Sequence, residues 1–214
     1  MCRLLCVQNT TAFDIADHLS IFARIARDSR EYQGHGWGCS WLENGEWQVY
    51  RNIKPIWEDS TRKFGKTSLL LAHARSAFRD EGIIVDNNMP FISRDTSFIF
   101  NGELQGVRIR EAGRIGAEKI FNYIQRFDKG DMHTALKKGV GIIKKRTRYI
   151  RAMNIIMAQP TSINISSIFS QEPDYFQLHH KDNGQQIIIC SQPYPGEPDW
   201  KVIENHTTFQ ITPK

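Results

Sequence analysis

The stretch SLLLAH, residues 68–73, is a continuous apolar run that ends two residues before Arg75. A run of this length and composition is typical of a strand that is buried on both faces. Residues 2–8 form a second short apolar run, and residues 96–100 form a third that ends at Asn101-Gly102. The three runs therefore predict sheets whose faces are covered by other parts of the chain.

Helical periodicity marks three segments. Apolar residues recur at intervals of three and four over residues 12–28, and the same spacing indicates a helix over residues 115–127. A third helix is predicted over residues 131–145, although Gly139 and Gly141 weaken that prediction.

Strands dominate the rest of the chain. Asn44-Gly45 separates two short strand-like segments and predicts a hairpin turn between them. Five strands are predicted towards the C-terminus, over residues 154–158, 163–169, 175–180, 185–190 and 207–212. With no repeat and no linker, this order of elements predicts one α+β domain over residues 1–214, in which two sheets lie between helix layers.

Composition limits the class of protein. The chain has 214 residues, a formal net charge of +5, and 40% apolar and 24% charged residues, as ordinary globular domains do. Seven basic residues are concentrated in one segment: Lys137, Lys138, Lys144, Lys145, Arg146, Arg148 and Arg151. No nucleic-acid motif accompanies them, so we expect a solvated helix face and its exit loop, and no nucleic-acid partner.

Targeting and metal-binding signals are absent from the sequence. No apolar stretch approaches the length of about 18 residues that a membrane span needs, and the first residues lack the apolar core of a signal peptide. The four cysteines, Cys2, Cys6, Cys39 and Cys190, show no metal-ligand spacing. We therefore expect reduced thiols in a cytoplasmic protein, with no metal, no cofactor and no membrane association.

Four motifs stand out along the chain. They are MCRL at residues 1–4, GWG at residues 36–38, HARSA at residues 73–77 and FNGEL at residues 100–104. In this order they resemble the class II glutamine amidotransferases, and most closely their stand-alone glutaminase-like branch. The resemblance covers essentially the whole chain. It implies the fold of the N-terminal-nucleophile hydrolases, a four-layer αββα sandwich of two mainly antiparallel sheets.

Cys2 is the expected nucleophile. Cysteine is intrinsically nucleophilic as a thiolate, and an N-terminal residue has a general base in its own α-amino group, whose pKa lies near 8. Removal of Met1, which the small residue at position 2 permits, exposes that base. The alternative for Cys2 is a small buried residue of the first strand.

Arg75 and Ser76 are the expected substrate-binding residues. The planar guanidinium of Arg75 suits bidentate binding of a carboxylate, and in the family the matching arginine holds the α-carboxylate of glutamine. The alternative for Arg75 is a structural ion pair at the end of a strand.

Asn101 and Gly102 match the oxyanion hole of the family, in which the Asn amide and the Gly N–H are the donors. Each such donor contributes about 3–4 kcal/mol to lowering the barrier. The alternative is a simple Asn-Gly turn at the end of the strand. Gly36 and Trp37 are assigned to substrate contact, with close approach of the backbone to the nucleophile strand. A tight turn with a packed tryptophan is the alternative for them.

Several positions depart from the family pattern. His35, Phe100 and Met89 replace residues that are usually acidic or polar, and Phe78 removes a hydroxyl from the expected carboxylate site. Most importantly, Gly116 stands where the family has the Asp that binds the substrate ammonium. The residues expected for catalysis are therefore present, whereas residues expected to recognise glutamine are replaced.

The predicted function is cleavage of a glutamine or γ-glutamyl side-chain amide through an acyl-enzyme on Cys2. The chain has no synthetase domain, so released ammonia goes to solvent or to a separate synthetase subunit. The oligomeric state stays open. An alternative function is a catalytically impaired member of the family that acts as a binding or regulatory subunit. A papain-like Cys/His enzyme is disfavoured because no cysteine has the sequence context of that class.

Overall fold

The computed structural model describes residues 1–77 and 81–212. Its first sheet contains β1 (Arg3–Asp14), β2 (Trp37–Glu43), β3 (Glu46–Asn52), β4 (Lys66–Ala74), β9 (His179–Asp182), β10 (Gln186–Cys190) and β11 (Lys201–Val202). The strand order is β11-β9-β10-β1-β4-β2-β3, and each neighbouring pair is antiparallel. Strand β1, which directly follows Cys2, thus lies at the centre of this sheet, between β10 and β4.

The second sheet contains β5 (Phe91–Ser93), β6 (Thr96–Gln105), β7 (Tyr149–Gln159), β8 (Ser162–Ser167) and β12 (Thr207–Ile211). Its order is β12-β8-β7-β6-β5, again antiparallel throughout. The helices are α1 (Ile15–Arg27), α2 (Gly116–Gln125), α3 (Met132–Lys145) and the single turn α4 (Pro173–Phe176), with short 3-10 turns at Ile56–Glu58, Thr61–Lys63 and Val85–Asn87.

The alternation of side chains along the strands sets the layers. Leu5 and Val7 of β1 pack in one apolar cluster with α1, whereas Leu4 and Cys6 point to the other face and pack against the second sheet. The outer face of the second sheet is covered by α2 and α3, whose apolar residues belong to the same large cluster. The predicted four-layer αββα sandwich of two antiparallel sheets is confirmed.

Two predicted boundaries near β1 were wrong. The strand continues to Asp14 rather than ending at residue 8, because after an irregularity it pairs again with β4 through Phe13 and Asp14. The helix consequently begins at Ile15 rather than at residue 12. Asp14 caps it, since its carboxylate accepts a hydrogen bond from the Ala16 N–H.

Two other strand predictions also need correction. The strand of residues 96–100 does not end at Asn101-Gly102: β6 runs on to Gln105, because β7 supplies partners along its whole length. The strand predicted over residues 175–180 is instead the helical turn α4 followed by β9. Pro173 occupies the start of that turn, a position where a missing N–H costs nothing.

The glycines of α3 do not interrupt the helix, which runs unbroken through Gly139 and Gly141. Gly139 lies against Ile124 of α2, and a Cβ there would come within 2.8 Å of the Ile124 side chain. The glycine therefore permits a close approach of the two helices. The exposed lysines and arginines near the end of α3 form the solvated face that was predicted, except Arg151, which pairs with three carboxylates.

Candidate active site

Cys2 lies at the start of the central strand, on the face that packs against the second sheet. It precedes Leu4 by two residues, and Leu4 belongs to the cluster between the sheets. The thiol contacts the backbone of Ser76, with Sγ 3.5 Å from the Ser76 nitrogen and 3.6 Å from its carbonyl oxygen. The structure therefore brings the predicted nucleophile to the turn that follows β4.

The Cys2 thiol is protonated in this environment. Burial raises its pKa above the ordinary value, and the Met1 ammonium, the Ser76 N–H and the Arg75 charge lower it less. A nearby base is therefore needed to form the thiolate.

Arg75 is held by the segment that precedes β2 and by the loop that follows Arg75 itself. Its N–H donates to the Gly36 carbonyl at 2.9 Å, and its carbonyl accepts from the His35 N–H at 3.1 Å. The guanidinium donates to the Gly82 carbonyl at 2.9 Å and reaches the Asn88 side-chain oxygen at 3.4 Å. Arg75 is thus clamped at the end of β4, beside Cys2.

No carboxylate pairs with Arg75 among residues 1–77 and 81–212, although the side chain is only 6% exposed. The guanidinium keeps its charge at any ordinary pH. A buried cation without an anionic partner is costly, and a substrate carboxylate would supply that partner. The geometry thus gives no support to the alternative of an ion pair within the described residues.

Asn101 and Gly102 lie within β6, and the side chain of Asn101 faces the first sheet. Ser97 precedes Asn101 by four residues, so the two side chains lie on the same face of β6. The Ser97 hydroxyl is hydrogen-bonded to that of Ser40 of β2 at 2.7 Å, so this face is directed towards the first sheet. The Asn101 side chain is 1% exposed, and neither its nitrogen nor its oxygen has a hydrogen-bond partner among the described residues. The simple turn is therefore excluded, and an unpaired amide donor lies in the layer that holds Cys2.

Gly102 is required at its position. A Cβ there would lie 2.3 Å from the Ala152 carbonyl oxygen and 2.5 Å from the Phe100 ring. The backbone is not free to move away, because it pairs with β7 at that point.

Gly36 and Gly38 have a different neighbour from the one predicted. In the sheet, β4 separates β2 from β1, so the glycines do not lie against the strand that follows Cys2. A Cβ at Gly36 would lie 2.2 Å from the Asn88 amide, and one at Gly38 would lie 2.5 Å from the Met89 carbonyl. The glycines therefore admit the 88–90 segment, whose Asn88 supports Arg75.

Trp37 is fully buried on the other face of the sheet, towards α1. Its ring packs against Tyr50 and Phe64, and its N–H donates to Asp59 at 3.1 Å. This placement corrects the assignment of its side chain to substrate contact and favours the alternative of a packed tryptophan.

His73 is a core residue between the two sheets. Burial, with a smaller contribution from the charge of Arg75, lowers its pKa to about 3. The imidazole is therefore neutral near pH 7 and is not poised to exchange protons there.

The expected site for a substrate ammonium has no free carboxylate from Glu111 or Glu118, the two described glutamates nearest to it in the chain. Gly116 is exposed at the first turn of α2, with no atom within 4 Å of the place a Cβ would take. Glu118 is bound by Arg114, at 2.6 Å for the shortest contact, and Glu111 is 3.3 Å from Arg126. Phe78, the other departure in this region, lies outside the described residues.

The surroundings of Met1 were not predicted. Glu31 contacts the Met1 ammonium, and the Met1 carbonyl accepts hydrogen bonds from Gln33 at 2.7 Å and from Tyr175 at 3.1 Å. Gln33 and Tyr175 are 142 residues apart and belong to no motif. No local pattern in the sequence signals their convergence.

Neither a membrane-spanning helix nor a metal-binding cluster is found among the described residues. None of the described helices has the length and apolar character that a bilayer crossing requires. Among the same residues, no group of three or more His, Cys, Asp or Glu side chains is arranged to hold a metal ion.

Comparison with known proteins relates this architecture to solved structures. No protein-family model matches the chain, and no curated protein matches it. The chain is similar to a glutamine aminotransferase class-II domain protein from Silicibacter pomeroyi, with a TM-score of 0.67 and 16% identity over 99% of this chain and 95% of that one. It is also similar to a predicted glutamine amidotransferase from Pseudomonas aeruginosa, with a TM-score of 0.63 and 14% identity over 99% and 97% of the two chains.

A third structure extends the likeness to a larger enzyme. The glutamine phosphoribosylpyrophosphate amidotransferase of B. subtilis matches 89% of this chain with 42% of its own, at a TM-score of 0.62 and 14% identity. Identities this low establish a common fold and leave the activity to be argued from the site. The chain has the N-terminal-nucleophile hydrolase fold of the class II glutamine amidotransferase domains, as its motifs predicted.

Proposed function

We propose that the protein hydrolyses the side-chain amide of glutamine or of a γ-glutamyl compound, with Cys2 as nucleophile after Met1 has been removed. The observation that carries the proposal is the meeting of the Cys2 thiol with the Arg75–Ser76 turn, where a buried guanidinium has no carboxylate partner among the described residues. The arrangement pairs a nucleophile with a receptor for an anionic substrate.

The chemistry assigns one step to each group. The α-amino group of Cys2 accepts the thiol proton, and the thiolate attacks the amide carbon. Asn101 and the Gly102 N–H donate to the oxyanion that forms. The C–N bond then breaks, the ammonium returns its proton to the leaving ammonia, and water hydrolyses the thioester to give a carboxylate.

The test combines intact mass with covalent labelling. The mature protein is expected to lack Met1 and to gain one equivalent of a glutamine-analogue electrophile at Cys2. Cys2→Ala should abolish labelling and hydrolysis. Cys6→Ala is the matched control, because Cys6 lies on the same strand face but is only 1% exposed. Full activity in a protein that retains an N-terminal extension would overturn the mechanism.

A second candidate function is a non-catalytic binding or regulatory subunit. It is favoured by the pairing of Glu111 and Glu118 with arginines, which leaves neither of these two described carboxylates near Gly116 free to bind a substrate ammonium. Under this reading Cys2 is exposed at the N-terminus and unoxidised, yet no amide is hydrolysed and no electrophile reacts. Those observations distinguish it from the hydrolase.

A further inference from the structure

Gln33 is buried against the Met1–Cys2 peptide bond, whose hydrolysis would expose the α-amino group of Cys2. The residue is 0% exposed and follows α1 in the chain. Its amide nitrogen lies 2.7 Å from the Met1 carbonyl oxygen and 2.8 Å from that of Glu31. It also lies 3.3 Å from the Tyr175 hydroxyl and 3.4 Å from that of Ser29. The contact with Met1 is therefore part of a formed, buried site.

The hydrogen bonding of Gln33 is incomplete in the presence of Met1. Its nitrogen has four neighbours but only two hydrogens to donate, while its side-chain oxygen is buried with no partner among the described residues. A buried carbonyl without a donor costs about 1–3 kcal/mol. The site is thus short of one hydrogen-bond donor.

Removal of Met1 supplies a donor at this place. Hydrolysis of the Met1–Cys2 bond takes away the carbonyl that Gln33 contacts and leaves an α-amino group on Cys2. A carboxamide can serve either partner, because it presents a donor and an acceptor on one planar group. We propose that Gln33 is a positioning residue whose side-chain oxygen accepts a hydrogen bond from the α-amino group of mature Cys2.

The neutrality of Gln33 matters for the proposed chemistry, on which this inference rests. A neutral acceptor orients the amine and favours its protonated form far less than a carboxylate, whose negative charge would stabilise the ammonium and weaken the base. The nearest competing group is Glu31, which contacts the Met1 ammonium. Glu31 is also 3.2 Å from Arg151, so a cation remains beside it when Met1 has gone.

Tyr175 and Arg3 hold the site in place. The Tyr175 hydroxyl donates to the Met1 carbonyl, and the Arg3 guanidinium lies 3.9 Å over the Tyr175 ring and donates to the Tyr175 carbonyl at 3.1 Å. Burial raises the pKa of Tyr175, so the hydroxyl stays protonated. The α4 turn is thereby fixed to the start of β1.

The test measures the pKa of the α-amino group without requiring turnover. In a full-length Cys2→Ser background, the N-terminus is acetylated with acetic anhydride at a series of pH values. Mass spectrometry of the N-terminal peptide then gives the acetylated fraction at each pH, from which the pKa of the amine follows. Gln33→Glu should raise the pKa of the amine by about one unit or more, because glutamate has the shape of glutamine but carries a negative charge that stabilises the ammonium. Gln210→Glu, at an exposed position of β12, adds the same charge and should leave it unchanged.

A kinetic measurement accompanies the titration. In the Cys2 enzyme, Gln33→Glu should move the acidic limb of the kcat/KM profile to higher pH by the same amount. Gln33→Met, which keeps the size but not the acceptor, should lower kcat about tenfold or more with little change in KM. A structural role alone would move stability and not the pH profile.

Several outcomes would overturn the inference. One is an amine pKa that is the same in Gln33→Glu and Gln210→Glu. Another is a pKa that falls in Glu31→Gln while staying constant in Gln33→Glu, which would assign the amine to Glu31. If cells retain Met1, the proposed function fails, but a protease-cleavable leader still exposes residue 2 in vitro and the same titration decides the role of Gln33.

Discussion

Asn101 and Asn154 lie opposite each other across β6 and β7 but meet different surroundings. The Asn154 side chain donates to the Phe176 carbonyl at 2.6 Å and accepts from Ser167 at 3.0 Å. The Asn101 side chain is equally buried and has no partner among the described residues. One asparagine therefore stabilises the fold, and the other is available to a ligand.

This contrast predicts opposite effects of two alanine substitutions. Asn101→Ala should lower kcat about a hundredfold with little change in KM, and should leave the melting temperature unchanged or higher, because no hydrogen bond is lost. Asn154→Ala should cost about 1–3 kcal/mol of stability, since it leaves buried groups unpaired. Steady-state kinetics measure kcat and KM, and thermal and urea denaturation measure the stability of the two variants. A pure KM effect in Asn101→Ala would remove it from the oxyanion hole.

Arg75 should bind the substrate carboxylate through its planar fork. Arg75→Lys keeps the charge but loses the bidentate geometry, so KM should rise at least tenfold for a substrate that carries the carboxylate. A substrate that lacks this group should respond little. Arg51→Lys is the control, because the guanidinium of Arg51 donates to the Pro90 carbonyl and, among the described residues, to no other group, so the change should alter stability rather than KM. Equal losses for both substrates would indicate a structural role for Arg75.

At the scale of the elements, the two glycines of α3 give a matched pair. A Cβ at Gly139 would lie 2.8 Å from Ile124, while a Cβ at Gly141 would meet nothing within 4 Å. Gly141→Ala should therefore stabilise the protein by about 0.5–1 kcal/mol through helix propensity. Gly139→Ala should destabilise it, because α2 and α3 must separate. The urea midpoints of the two variants test this prediction. An increase in stability for both would contradict the close packing of α2 against α3.

The first turn of α2 influences which substrate the protein prefers. With glycine at position 116 and Glu118 bound to Arg114, a substrate ammonium at this place would find no free carboxylate among the described residues to bind it. We expect free glutamine to be hydrolysed more slowly than γ-glutamyl amides whose amino group is modified. A panel of such amides, compared by kcat/KM, tests this. If glutamine is preferred tenfold or more, Glu31, which contacts the Met1 ammonium, is the first carboxylate to substitute.

At the scale of the whole molecule, the packing of the two sheets buries His73 between them. Its pKa is about 3 in the folded protein, against an ordinary value of 6.5. Between these values the unfolded chain binds the proton and the folded protein does not, so His73 makes stability fall as the pH falls from about 6.5 to about 3. The slope it contributes is at most about 1.4 kcal/mol per pH unit.

Urea denaturation at several pH values measures that slope. His73→Gln removes the titrating group from the same place, so the variant should lose less stability than the parent protein on going from pH 7 to pH 4. Only the difference in slope matters, because the loss of the imidazole contacts changes the stability by the same amount at every pH. Identical slopes would show that acid sensitivity arises from other groups.

The sequence by itself determined the class of fold and most of the elements. Apolar runs and helical spacing are local patterns, and they placed the buried strands, the three long helices and the hairpin at Asn44-Gly45. The motifs also pointed to Cys2 and to the Arg75–Ser76 segment, which the structure places in contact. Local patterns sufficed because each of these features depends on side chains close together in the chain.

The tertiary structure decided what distant parts of the chain do to one another. Asn-Gly at residues 101–102 has the sequence of a turn, but pairing with β7 keeps it extended. Trp37 faces α1 rather than the site because it lies on the outward face of β2. Gln33 and Tyr175 meet at the Met1 carbonyl only because α4 docks beside β1. Such contacts follow from sheet pairing and layer packing, which have no periodic signature along the sequence.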